Sequence, residues 1–505
     1  MRRYHETFRL WEYLLFAVVT LAVLCLCVCI GSVRVPLGDT LAFFAAKLTG
    51  GALPEGLVSS IMPITASAAS SVSSRMSYHC NSIVSRASRV LIFNPYCTIF
   101  RTAAPLIFAG LAICLEKAYT VTVMCWNRRF PMVSIVEVTT KAQLRKFVDY
   151  PNRLYEGVPQ FVPATYDDDL SDWDRSKNPA FEYCDARCWL AERDGDIVGR
   201  IGAIYSRKAN DKWGANRLRF TQVDFIDDRE VSAALFAVVE DWARQLGCTA
   251  VHGPLGFTDM DREGMLVEGF DRRSCFFTYY NYPYYIDHMT ALGYGKDVDW
   301  IEELITVPTD EATIQRWEKI SDFVLKRHHL HIHEAKNRLA YLPLLKPFFE
   351  LVNVAYAPLY GTVELGERQI RKYSAKFAPL INPNTTCFVM DEKNRLVAFG
   401  VGAPSLAAAL QKNRGRLMPT GWMDVLKAFR KNDTVDLLLI AVHPDYQKKG
   451  VNAVILSKAM KGCHKLGIKQ AETGPMLELN DKVQSQWKDF QTEQHKRRRC
   501  FIKEL

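Results

Sequence analysis

The chain has 505 residues, 49% apolar and 24% charged, which excludes wholesale disorder and calls for two or three cores rather than one. Its net charge of +9 is lopsided, because Met1 to Pro131 carries 12 Lys/Arg against 5 Asp/Glu while the remaining chain carries 52 against 50. Basic charge confined to one quarter of the chain, beside an apolar run, reads as membrane-flanking charge and excludes nucleic acid as an expected partner.

That apolar run is Tyr13 to Ile30, preceded by Arg2, Arg3 and Arg9. Its length predicts a transmembrane helix with the N-terminus on the cytoplasmic side, and so a membrane contact for the protein. Met1 to Thr65 also resembles the N-terminus of permease subunits of iron-siderophore ABC transporters. The resemblance rests on Gly31-Ser-Val-Arg-Val-Pro-Leu-Gly-Asp-Thr-Leu and Ser59-Ser-Ile-Met-Pro-Ile, and it stops at Thr65. A second apolar run, Ala103 to Leu115, is too short for a comfortable span. At Met132 the pattern changes abruptly. Residues 1–131 are therefore expected to be an extension fused to a chain that originally started at Met132, tethering a cytoplasmic catalytic region to the membrane.

From Met132 to Pro308, strands and helices alternate. Strands are expected at Ser134 to Val138, Arg217 to Phe225 and Ala250 to Gly253. A hairpin is expected to turn at Asp194-Gly195, with helices over Lys141 to Tyr155, Val231 to Leu246 and Asn281 to Leu292. Thr309 to Leu505 repeats the order. It reads as helices over Thr309 to His328 and Tyr341 to Ala355, a hairpin across Glu392-Lys393-Asn394 and a strand over Thr434 to Val442. Then come a helix over Gly450 to Leu466, a strand over Lys469 to Thr473, a helix over Asp481 to Phe490 and a last strand over Cys500 to Lys503. Two passes through one order predict an α/β protein of two tandem domains, 132–308 and 309–505, each a mixed sheet flanked by helices.

The segment that carries chemistry is Thr434-Val-Asp-Leu-Leu-Leu-Ile-Ala-Val-His-Pro-Asp-Tyr-Gln-Lys-Lys-Gly-Val-Asn. A buried strand runs into Pro444, which cannot donate to a ladder. A basic glycine-containing turn follows, and a helix starts behind it with unpaired N–H groups and the positive end of its dipole. This is a seat for a phosphate group. Lys448 and Lys449 add charge, and Gly450 lets the backbone approach closely. An ordinary strand-turn-helix connection gives the same pattern, and no GxxxxGK[ST] P-loop is present.

Val442-His-Pro-Asp-Tyr-Gln-Lys-Lys-Gly-Val resembles motif A of the GNAT acetyltransferases, whose core reads Gln/Arg-x-x-Gly-x-Gly/Ala. Gln447 and Gly450 match it, and Asn452 stands where Gly or Ala is usual. A wider resemblance, to a bacterial lineage of tandem-GNAT proteins, covers Met132 to Leu505. It rests on Gly253-Pro-Leu-Gly-Phe-Thr-Asp-Met-Asp, Asn281-Tyr-Pro-Tyr-Tyr, Gln484-Ser-Gln-Trp and His495-Lys-Arg-Arg-Arg-Cys-Phe-Ile-Lys-Glu-Leu. It implies two GNAT-like domains, the first degenerate, and transfer of an acyl group from acetyl-CoA or another acyl-CoA to a small-molecule or peptide amine. It further implies that Gln447, Lys448, Lys449, Gly450, Val451 and Asn452 hold the CoA pyrophosphate. Pantetheine would lie along Ile440 and Val442, and Asn480 would contact the cofactor. Trp487 occupies the position where many members carry a tyrosine acid, which leaves that role vacant. Glu472, beside the expected splayed strand, is the candidate base. Two alternatives stay open: a silent acyl-CoA sensor and a membrane transport component.

The remaining signals are weaker. The cysteines contain no CxxC pair and suit reduced thiols. His328, His329, His331 and His333 lack a further acidic or thiol ligand and read as a solvated strand edge, so no metal is expected. His495-Lys-Arg-Arg-Arg reads as a solvated turn, a basic patch or a neighbour of the CoA 3′-phosphate.

Overall fold

The computed structural model describes residues 133–334 and 337–505. The expected membrane helix, the second apolar run and the permease-like segment all lie outside these residues. Among the described residues, no helix is long and apolar enough to cross a membrane.

Met132–Leu505 forms one compact unit. Its first half contains β1 (Ser134–Glu137), α1 (Lys141–Leu154), α2 (Tyr166–Asp172), β2 (Cys184–Arg193), β3 (Asp196–Ser206), α3 (Arg207–Trp213) and β4 (Arg217–Phe225). It continues with α4 (Arg229–Gln245), β5 (Ala250–Gly253), β6 (Met265–Glu268), α5 (Tyr284–Ala291) and β7 (Gly295–Thr306). The second half contains α6 (Glu311–Arg327), β8 (His331–Ile332), α7 (Leu345–Tyr356), α8 (Glu367–Phe377), β9 (Thr386–Met390) and β10 (Leu396–Pro404). After these come α9 (Ala407–Lys412), α10 (Gly421–Arg430), β11 (Thr434–Val442), α11 (Val451–Leu466), β12 (Gln470–Thr473), β13 (Met476–Leu477), α12 (Asp481–Gln484) and β14 (Thr492–Glu504).

Local chemistry sets many of these boundaries. Thr140 and Gln143 form a capping box that starts α1. Asp194 and Gly195, at φ 54° and 84°, make the tight turn between β2 and β3. Gly467, at φ 69°, ends α11 in the left-handed conformation that releases a helix.

Among the described residues the strands join into one 14-stranded sheet, in the order β1-β2-β3-β4-β5-β14-β7-β12-β11-β10-β9-β8, with β6 and β13 attached to β14 and β7. Each half contributes antiparallel strands followed by one parallel pair, β4 with β5 and β11 with β12, crossed over by α4 and α11 respectively. The halves are sewn together by exchange. β14, from the C-terminus, pairs with β5 of the first half, while β7 pairs with β12 of the second, and β7 and β14 pair with each other.

The last strand is much longer than its apolar end suggests, because His495-Lys-Arg-Arg-Arg forms the middle of β14. Lys496 and Arg498 are 1% and 0% exposed, and both pair with the fully buried Glu302 of β7. Arg499 grips Asp299 of β7 through two hydrogen bonds of 2.8 and 2.9 Å. The expected solvated turn is thus a central strand whose cations are neutralised by acids about 200 residues earlier in the chain.

Candidate functional site

β11 and β12 pair only from Thr434↔Gln470 to Leu437↔Thr473. Beyond that point Pro475 follows β12 and cannot donate to the ladder, while β11 runs on to Val442 against β10. The two parallel strands therefore part. A cavity of about 1250 Å³ opens where they do, larger than the roughly 300–1,000 Å³ of ordinary small-molecule pockets. Leu437, Leu438, Leu439 and Ile440 form a half-buried apolar edge along it. Two carbonyls on the free strand edge already have partners: Tyr356 donates to Ile440 O at 3.0 Å, and Gln447 Nε2 donates to Val442 O at 3.2 Å.

One part of the wall is the turn between β11 and α11. Tyr446, Gln447, Lys448, Gly450, Val451 and Asn452 all line the cavity. Lys448 and Gly450 both have positive φ, 61° and 75°, so the chain turns sharply twice before α11 begins. Gly450 is the N-cap residue and offers no side-chain cap, so the first amides of this 16-residue helix have no side-chain acceptor. A β-carbon on Gly450 would come within 3.2 Å of Val324 Cγ2. Lys448 and Lys449 are exposed, and Lys449 Nζ lies 4.9 Å from the centre of the Tyr446 ring. Left-handed glycine, bare helix start and flanking cations fit a diphosphate on physical grounds. Val451 contributes backbone only, because its side chain is buried in a core with Val324 and Ile455.

Two other expected residues serve the scaffold. Asn480 lines the cavity and also caps α12, its Oδ1 accepting from Val483 N at 3.4 Å. Trp487 is 8% exposed and donates to Met476 Sδ at 3.3 Å, so it is a wall of the cavity. Glu472 does not line the cavity. Its carboxylate pairs with Lys496 Nζ and lies 3.4 Å from His495 Nε2. A carboxylate tied to a buried ammonium and turned away from the cavity is a poor general base, and the structure places Glu472 in the β14 charge network instead.

Sequence reasoning overlooked several carboxyl groups here. Asp436 of β11 stands beside Glu472, is fully buried, and has no hydrogen-bond partner on either oxygen. Burial first, and the Glu472 charge second, push it up to about 7. It does not line the cavity. Asp259, Asp261 and Glu263 do, carried across from the first half by the loop between β5 and β6. Asp261 is satisfied by Thr258 N and the Tyr373 hydroxyl, each at 3.1 Å. Asp259 and Glu263 accept no hydrogen bond and make no ion pair among the described residues. Burial pushes Asp259 up to about 6, and burial followed by the Asp259 charge raises Glu263 well above the usual carboxylate range. The only sequence signal was the loop itself, Gly253-Pro-Leu-Gly-Phe-Thr-Asp-Met-Asp, whose resemblance assigned no role to its acids.

Two clusters carry metal-ligand types, His252-Asp297-Cys500 and Cys275-Glu302-Glu472. In the first, the Tyr360 hydroxyl sits among the three groups, 3.0 Å from His252 Nδ1 and 2.5 Å from Asp297 Oδ2. In the second, Lys496 Nζ pairs with both carboxylates. A protein donor already fills each centre, so neither donor set fits a cation.

No protein-family model matches the chain. Among curated proteins, it is 26% identical over 378 residues to protein YghO of Escherichia coli K12, covering 72% of this chain and 94% of that one. It is 25% identical over 305 residues to a bacterial ceramide synthase of Caulobacter vibrioides, covering 58% of this chain and 76% of that one. Among solved structures, the chain is similar to a tandem GNAT protein from the clavulanic acid biosynthesis pathway. That match has 12% identity and a TM-score of 0.43, over 74% of this chain and 98% of the other. A GCN5-related N-acetyltransferase from Sphaerobacter thermophilus matches with 10% identity and a TM-score of 0.38, over 73% and 95% of the two chains.

Proposed function

We propose that this protein is an acyl-CoA-dependent N-acyltransferase of the GNAT type, moving an acetyl or longer acyl group to an amine. The supporting observation is that a bare helix N-terminus behind a left-handed Gly450 opens on the same cavity as the parted, apolar edge of β11. The turn would hold a diphosphate through the amides from Gln447 to Asn452, with Lys448 and Lys449 adding charge. The strand edge offers an extended thiol arm a row of backbone partners, provided that Tyr356 or Gln447 gives way. The relative named a ceramide synthase accords with acyl transfer in general, since a ceramide is an N-acylated amine.

A second reading, a silent acyl-CoA sensor, is favoured by Trp487, whose indole cannot give a proton to a leaving thiolate in place of a tyrosine. One titration separates the readings. Full-length protein should bind palmitoyl-CoA or acetyl-CoA in a calorimeter, and Gly450→Trp should weaken that binding at least tenfold, equivalent to about 1.4 kcal/mol. The backbone there is left-handed, and the new side chain would crowd Val324. Binding with amine-dependent thiol release marks the transferase, and binding without release marks the sensor. No binding removes both.

A further inference from the structure

Asp259 and Glu263 sit on a loop held by hydrogen bonds to both halves. Arg219 of β4 donates to Gly256 O at 3.0 Å and to Gly361 O at 2.9 Å, tying the loop to the chain behind α7. Thr258 bonds the Tyr373 hydroxyl of α8 at 2.6 Å. The two carboxyls therefore enter the cavity from a fixed frame. The cations whose charge reaches Asp259 make no ion pair with it: Arg219 donates to those carbonyls, and Lys212 bonds Thr362 Oγ1 at 3.2 Å. Two carboxyl groups that face one cavity without an ion-pair partner among the described residues, with the Asp261 carboxyl beside them, form a site that can take up a further cation.

Their place in the cavity connects them to the chemistry. Tyr356 feels the charge of Asp259, and its hydroxyl holds the Ile440 carbonyl on the parted edge of β11. The carboxyl pair and the strand edge thus share one end of the space. Elsewhere in the same cavity is an apolar chamber built by the insertion around α9 and α10, where Phe276, Leu406, Leu410, Leu417, Val425 and Phe429 pack together and line the wall.

We propose that the first half completes the active site: Asp259 and Glu263 bind the ammonium of a primary amine with a long apolar chain and take its proton, while the α9–α10 chamber holds the chain. This rests on the acyltransferase reading above. The ammonium gives one proton to the carboxyl pair and so to solvent. The freed nitrogen attacks the thioester carbonyl carbon, a C–N bond forms and the C–S bond breaks. The second nitrogen proton passes to the departing thiolate, leaving an amide and the CoA thiol. The tandem arrangement then has a chemical reason, since one half brings the acyl donor site and the other brings the base.

The test uses full-length wild type and the near-isosteric double variant Asp259→Asn/Glu263→Gln, titrated with hexadecylamine in detergent micelles, with palmitoyl-CoA binding and thiol release followed alongside. We expect unchanged palmitoyl-CoA affinity, amine binding weakened at least tenfold, and thiol release reduced about 100-fold or more, the range of a lost general base. Amine binding and turnover equal to wild type would overturn the proposal and leave the acyltransferase reading intact. So would a wild type that binds palmitoyl-CoA and ignores hexadecylamine. Failure of wild type to bind palmitoyl-CoA would overturn the acyltransferase reading itself. Should the double variant lose its fold, the charge-preserving pair Asp259→Glu and Glu263→Asp makes the comparison, each expected to keep amine binding within tenfold; loss of amine binding alone in both would count against the pair as a simple charge site.

Discussion

Asp436 shows how burial and a neighbouring charge give a carboxyl group an unusual character. It lies in the middle of the sheet, 0% exposed and unpartnered, with Glu472 beside it in register on β12. Burial and the Glu472 charge raise it to about 7, with the Lys496 and Arg273 charges pulling the other way. The folded protein therefore holds this proton more tightly than the unfolded chain does. Its contribution to stability is complete below the unfolded value near pH 4 and is lost as pH rises toward 7, each tenfold difference in proton affinity being worth about 1.4 kcal/mol. Denaturant melts of wild type and Asp436→Asn at pH 4.5 and 7.5 check this: the asparagine variant gains on wild type by on the order of a few kcal/mol at the higher pH.

At the scale of elements, α11 is the scaffold of the proposed donor site, and its seat is unusually tight. Gly462 stands in its last two turns, where helix propensity alone makes alanine the better residue by about 1 kcal/mol. A β-carbon there would overlap the Asn384 backbone, at 1.7 Å from its carbonyl oxygen. The clash outweighs the propensity, because a backbone carbonyl cannot swing aside as a side-chain tip can. Gly462→Ala is accordingly expected to destabilise by roughly 2 kcal/mol or more, read as a fall in melting temperature, against the sign that propensity gives. Gly400 of β10 is similarly close to α11: a β-carbon there would meet Cγ2 of the branched Ile455 at 2.3 Å, a side-chain contact rather than a backbone one.

At the scale of the whole unit, the exchanged strands decide how it unfolds. β14 is the C-terminal segment, yet it pairs with β5 and β6 of the first half and β7 at the junction. Neither half can close its sheet without the other. The 133–505 region should therefore melt in a single cooperative transition, with fluorescence and circular dichroism midpoints coinciding, instead of two steps for two domains. Removal of residues 492–505 should abolish folding of both halves, read as loss of the transition itself. Two separated transitions would show that the halves are independent after all.

The sequence alone determined what depends on neighbours in the chain. The strand Thr434–Val442, the break at Pro444, the turn at Gly450 and the helix behind it were all legible, because a run of apolar residues, a proline and a glycine act within a few residues of one another. The Asp194-Gly195 hairpin was legible for the same reason. Only tertiary structure decided the rest. Lys496 and Arg498 read as solvent-facing because no local pattern announces Glu302, which makes their burial tolerable. Glu472 was a reasonable base until Lys496 occupied it. Asp259 and Glu263 were two acids without an assigned role until the fold carried them to a cavity built largely by residues more than 100 positions later. Charge complementarity and strand exchange act across distances in the chain over which composition and periodicity carry no signal, whereas caps, turns and breaks are decided within a single turn of the backbone.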